Sequence, residues 1–161
     1  MLGICLWGLS GKVVLAETPD SLQGEGEIGE TGPYQGDGDP LGRSTPRGTV
    51  VGFLRAIDVG DSRAAADYLD LRNLPPRIQQ YSPEQLATGL STVLQRSTWI
   101  DLERLSNRVD GLAEEDLPPY RDLLAELPTA QKTVLVLLQR VPDGQGGRIW
   151  KFSNATIAEL D

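Results

Sequence analysis

The stretch from Lys132 to Phe152 constrains the fold of this 161-residue chain more than any other. Val134-Leu135-Val136-Leu137-Leu138 is a continuous apolar run, as expected for a central strand covered on both faces. Asp143-Gly144-Gln145-Gly146-Gly147 comes next, and glycine tolerates the positive φ values that a tight reversal needs. Arg148–Phe152 then alternates, placing Trp150 and Phe152 on one face and Ile149 and Lys151 on the other. Upstream, Asp122–Leu127 alternates as well, with Leu123, Ala125 and Leu127 facing one way. Three adjacent strands with short links predict an antiparallel meander over the last third of the chain.

Helical periodicity precedes it. Thr45-Pro46 reads as an N-cap followed by proline at the first helical position, and Val50, Phe53, Leu54 and Ile57 recur on one face. Gly60 ends that helix. Asp61 caps a second, whose Ala65, Tyr68 and Leu69 repeat the pattern, so a helical hairpin is expected. Pro75-Pro76 is expected to act as a terminator between this hairpin and the next helix. Ser82-Pro83-Glu84-Gln85 combines a capping serine, a first-turn proline, an acid at the positive helix end and a box-closing glutamine. Leu86, Leu90, Val93, Leu94 and Ser97 then line one face of a helix running to about Thr98. Trp99-Ile100-Asp101-Leu102 comes next, and a polar loop extends to Pro118-Pro119. Ser153 caps a last short helix carrying Ile157 and Leu160. So short a helix is marginal without packing or continuation, and it reads as the opening of a longer protein. Helices followed by a meander make an α+β fold.

Three regions are expected: an apolar, signal-like segment at 1–16, a linker at 17–45 and an α+β globular domain at 46–161. Residues 1–16, MLGICLWGLSGKVVLA, are apolar apart from Ser10 and Lys12 and shorter than the about 20 residues of a membrane span. They resemble the apolar core of a secretory signal, with Val14 and Ala16 before a cut ahead of Glu17. Cys5 lacks a lipidation context, because Ile4 precedes it. Residues 17–45 hold seven glycines and three prolines and too little apolar surface to offset the entropy of ordering, so a disordered acidic linker is expected. The charge is uneven: residues 1–40 carry seven acids against Lys12 alone, whereas residues 41–161 carry 16 acids and 14 bases.

Composition excludes much chemistry. The chain has no histidine, which removes Ser-His-Asp and Cys-His catalysis and histidine metal sites. A single cysteine leaves no disulfide within the chain and no cysteine zinc site. A net charge of −8 argues against a nucleic-acid partner. The remaining acid/base candidates are Asp101, Glu103, Glu114, Glu115 and Asp116. Glu114-Glu115-Asp116 sits in a polar, proline-rich loop where solvated carboxylates are the default. Asp101, beside Trp99 and Ile100, would suit acid/base chemistry if partly buried, but the stronger expectation is a capping role or an ion pair with an arginine such as Arg104 or Arg140. Trp99, Trp150, Phe152 and Tyr68 could line a pocket between helices and sheet, although such aromatics are more often plain core. Lys132 and Lys151 occupy strand contexts and give no serine a general base. Asn154-Ala155-Thr156 matches a common glycosylation triplet. No oxygen-ligand metal pattern stands out. No catalytic, cofactor-binding or metal residue is expected, and no cofactor.

Taken in order, Pro46–Leu54, Ala65–Leu71, Trp99–Leu102, Asp116–Pro119, Leu137–Pro142 and Ile149–Ser153 resemble the extracytoplasmic domain that precedes the membrane part of some bacterial mechanosensitive channels of the small-conductance (MscS) type. The resemblance spans about residues 45–161 as a sequence of short motifs. It implies a non-enzymatic, periplasmic domain on the outer side of the inner membrane, regulating a channel whose pore helices lie outside these residues. Its implied partners are the channel's membrane part and further copies of itself. The rival expectation is a stand-alone exported small-ligand-binding module with a nuclear-transport-factor-type pocket formed by Trp99, Trp150 and Phe152.

Overall fold

The computed structural model describes residues 38–96, 100–112, 117–129 and 131–160. The expected signal-like segment and residues 17–37 of the expected linker lie outside these residues. Residues 38–45, read from the sequence as the end of a disordered linker, instead pack on the domain. Asp39 is paired to Arg43 at 2.8 Å, the Arg43 carbonyl accepts from the Trp150 amide at 2.7 Å, and Ser44 and Thr45 are buried. The described chain is α+β: five helices and one three-stranded antiparallel sheet.

Helix α1 spans Pro46–Asp58. The Thr45 hydroxyl accepts from the Gly48 amide at 3.0 Å, satisfying one of the amides a helix start leaves unpaired, and Pro46 supplies a pre-set φ. Val50 and Phe53 are fully buried, with Leu54 and Ile57 half-buried beside them. Gly60 takes φ +77°, a left-handed conformation that favours glycine, and turns the chain into α2, Ser62–Ala66. The Asp61 carboxylate caps α2 by accepting from the Ala64 amide at 2.9 Å.

Helix α2 is shorter than its periodicity suggests. Tyr68 and Leu69 are buried as expected but lie beyond the helix, Tyr68 in a turn and Leu69 in a bridge to Phe152. The Phe152 amide donates to the Tyr68 carbonyl at 2.8 Å, and the Asp70 amide donates to the Phe152 carbonyl at 2.9 Å. A strand edge needing hydrogen-bond partners outweighs one more turn of helix. Pro75-Pro76 does more than terminate: Pro76 is the first residue of α3, Pro76–Gln79, which buries Ile78. Helix α4, Pro83–Arg96, starts on the expected capping box. The Gln85 amide donates to the Ser82 hydroxyl at 3.2 Å, and the Ser82 amide donates to the Gln85 side-chain oxygen at 2.8 Å.

The sheet has strands β1 (Arg121–Pro128), β2 (Thr133–Pro142) and β3 (Arg148–Phe152) in the order β1-β2-β3. The alternation expected in β1 is corrected by a bulge between Leu123 and Ala125. Asp122 and Leu124 are the buried positions, and Leu123, Ala125 and Leu127 are half-buried. An extra residue in one strand re-aims every side chain beyond it. Strand β2 is central, with Val136, Leu137 and Leu138 buried, but it is covered on both faces only there, since Leu135 is 40% exposed. Gly144 and Gly146 adopt positive φ in the β2–β3 turn. Trp150 and Phe152 are fully buried; Ile149, on the opposite face, is buried too. The Ser153 hydroxyl caps α5, Asn154–Ile157, by accepting from the Ala155 amide at 3.2 Å.

The core joins α1 to β3. The Phe53 and Phe152 rings meet edge-on at 4.9 Å, and Tyr68 meets Phe53 at 6.4 Å. The buried Thr49 hydroxyl lies within donating distance of both the Thr45 and Trp150 carbonyls, at 3.0 and 3.1 Å. No helix among the described residues is long and apolar enough to cross a membrane.

Candidate functional site

The carboxylates singled out in the sequence do not gather into a site among the described residues. Glu114, Glu115 and Asp116 lie outside these residues, as does Trp99. Asp101 is exposed rather than partly buried. Its carboxylate accepts from the Glu103 amide at 3.0 Å and its carbonyl accepts from the Arg104 amide, so it caps a turn. The expected ion pair with Arg140 is not formed, because Arg140 reaches Asp110 at 2.8 Å instead. Glu103 is exposed, and its carbonyl accepts from Arg47. Among the described residues no group of three potential metal-ligating side chains comes together.

The aromatic candidates are core. Trp150, Phe152 and Tyr68 are buried against Phe53 and its neighbours, and the Trp150 indole donates to the Val109 carbonyl at 2.9 Å. Burial pushes the Tyr68 hydroxyl up from its ordinary range, so it stays a donor, here to the Leu41 carbonyl at 3.0 Å. Of these three, Tyr68 also borders open space. A groove of about 330 Å³ runs beside α1, lined by Leu41, Val51, Gly52, Val59 and Tyr68 with Arg55. Gly52 lets the Tyr68 ring lie against α1 at the edge of the groove, since a Cβ there would overlap the ring, only 2.6 Å from its Cε1. A second cleft of about 170 Å³ separates β2 from α5 near Leu135 and Ala155, with Lys132 and Glu159 paired at 2.5 Å beside it. Asn154 uses its side-chain amide to donate to the Arg72 carbonyl at 2.9 Å.

The most developed polar cluster was not singled out from the sequence. Asp70, 3% exposed, accepts from Arg72 Nε at 2.7 Å, from Arg72 Nη2 at 2.9 Å and from Gln139 Nε2 at 2.5 Å. Gln139 in turn accepts from the Ser153 hydroxyl at 3.0 Å. Burial pushes the Asp70 carboxyl up, but the Arg72 hydrogen bonds and charge, with Gln139, hold it below the usual carboxylate range. The Asp70-Leu71-Arg72 spacing is a local signal for this pair, whereas nothing in the sequence marks Gln139 as its third member. Lys151 lies next to Gln139 across the strands and is half-buried. Burial lowers its ammonium below the ordinary lysine range. The positive charges of Arg43 and Arg72 act in the same direction, against Asp67 and Asp70.

Chemically, this arrangement ties β2, β3, α5 and the 70–72 turn together with one buried carboxylate whose hydrogen bonds are filled. A carboxylate so engaged is held ionised and has no free lone pair aimed at an open cavity. Comparison with protein-family models, with curated proteins and with solved structures finds no match to this chain.

Proposed function

We propose that this chain carries a non-enzymatic, extracytoplasmic interaction domain of the kind that precedes the membrane part of MscS-like mechanosensitive channels. One observation carries the reading. Four of the segments on which the resemblance rests, far apart in sequence, pack on one another. Pro46–Leu54 forms most of α1, and its Thr49 and Phe53 touch Trp150 and Phe152 of Ile149–Ser153. Ala65–Leu71 pairs with Phe152 through Leu69 and with Gln139 of Leu137–Pro142 through Asp70. Motifs that are individually short thus make up one structural unit, which supports treating them as a single domain signature.

Regulation by such a domain requires contacts that differ between two channel states, since only a difference in interaction free energy moves an equilibrium. The test uses the product of the whole gene in its native membrane. Deleting residues 46–161 is expected to shift the membrane tension at which half the channels open in excised patches while leaving unitary conductance unchanged. An unshifted midpoint, or a gene product without pore helices, overturns the reading.

A further inference from the structure

Three polar side chains line up across the sheet. Arg121 of β1 is the register partner of Gln139 in β2, and Gln139 is the partner of Lys151 in β3. Phe152 and Leu138, one position along, belong to the core, so this row lies on the opposite face. Directly opposed residues on one face stand about 5 Å apart at Cβ, which puts Arg121 and Lys151 about 10 Å apart on either side of Gln139.

The central amide is already committed, donating to Asp70 and accepting from Ser153. The flanking cations are not. Arg121 Nε is buried without a hydrogen-bond partner, and the guanidinium lies 5.8 Å over the Tyr120 ring. The Lys151 side chain is half-buried and makes no hydrogen bond or ion pair with a described residue. Two neighbouring acids are taken: Asp39 pairs with Arg43 at 2.8 Å and Asp70 with Arg72 at 2.7 Å. Asp67, the remaining acid near Lys151, is exposed and not within ion-pair reach of it. Desolvated donors without acceptors cost stability, and an acceptor bearing negative charge would recover it.

We propose that Arg121 and Lys151, flanking Gln139 in this row, form an anion-binding site that takes the carboxylate or phosphate group of a small ligand. The planar guanidinium offers directional donors to two oxygens, and the ammonium supplies a point charge across from it. The groups that set the Lys151 titration are Arg43 and Arg72, which lower it along with burial, and Asp67 and Asp70, which oppose them. An anion bound beside Lys151 opposes that lowering, so its ammonium should titrate at higher pH when the site is filled. The site belongs to the sheet itself and does not depend on the channel reading.

The test is an NMR titration of the full chain with inorganic phosphate, and separately with acetate, at constant ionic strength maintained with chloride. Saturable shifts centred on Arg121, Gln139 and Lys151, with a rise in the Lys151 side-chain pKa, are expected. Arg121→Gln and Lys151→Met should each weaken phosphate binding by about tenfold or more, and Lys151→Arg should retain most of it. Stronger binding of phosphate than acetate identifies a phosphate ligand, and the reverse identifies a carboxylate. Shifts that never saturate, or that appear equally at other surface arginines, overturn the proposal. So does a Lys151→Met variant of undiminished affinity. Should these variants fail to fold, the wild-type Lys151 pKa decides: a rise in phosphate supports the site, and no change at the highest phosphate concentration overturns it.

Discussion

The Asp70 carboxylate and the Gln139 amide meet at 2.5 Å across 69 positions of sequence. This contact fastens the turn after α2 to the central strand, and Arg72 and Ser153 complete the network on either side. Because Asp70 is buried and ionised, the domain depends on a charge that acid removes.

Stability should therefore fall in acid. The folded-state pKa of Asp70 is depressed, so the stabilisation it provides is fully present above the ordinary carboxylate range. It is lost as pH drops through the lowered folded value. Asp39 behaves alike: burial raises it, and hydrogen bonds and charge from Arg43 lower it further, to a net depression. Asp70→Asn should cost about 1.5–3 kcal/mol at neutral pH, the range for hydrogen bonds to a charged group. It should also flatten the decline below about pH 5. Denaturant melts of both proteins across pH 3–7 measure this; parallel acid profiles would contradict it.

Gly52→Ala should destabilise although it sits in a helix. Alanine gains about 1 kcal/mol of helix propensity over glycine. Against that, its methyl group must displace the Tyr68 ring and with it the 3.0 Å bond to Leu41. Overpacking of this sort costs about 1–3 kcal/mol. A lowered melting temperature, partly relieved in the Gly52→Ala, Tyr68→Leu double variant, is the expected result.

Gly89→Ala should do the opposite. Apart from the neighbouring backbone of α4 itself, no atom lies within 4 Å of where its Cβ would stand. The substitution removes backbone entropy from the unfolded chain without a clash, and a gain of about 0.5–1 kcal/mol is expected in thermal or denaturant unfolding.

Ser82→Ala removes one half of the α4 capping box and leaves the Gln85 amide without its acceptor. A loss of about 1 kcal/mol is expected. Ser82→Asp, which keeps an acceptor and places negative charge at the helix start, should recover most of it. Equal stability of the two variants would show that the cap contributes through neither effect.

Local rules made these elements legible. Thr45-Pro46, Asp61, Ser82-Pro83 and Ser153 all start helices, because a cap is a contact between residues two or three apart. The Asp143–Gly147 turn and the two strands it joins reflect glycine conformation and apolar alternation. Aromatic burial was legible too, in that Trp150 and Phe152 share a face and both belong to the core.

The sequence by itself therefore determined every element except the short α3, their order and the α+β class. Propensity, caps and periodicity act over a few residues and survive without knowledge of the fold. Only the tertiary structure decided where α2 stops, which residue of β1 is buried, and that Asp101 is a solvated turn cap while Asp70 is the buried acid. Leu69 leaves the helix to pair with Phe152, 83 positions away, and the bulge at Leu124 re-aims the β1 side chains. Likewise, Arg121, Gln139 and Lys151 become neighbours only through strand register. A carboxylate or a cation acquires its environment from groups that the chain brings beside it, and that proximity is a property of packing rather than of local sequence.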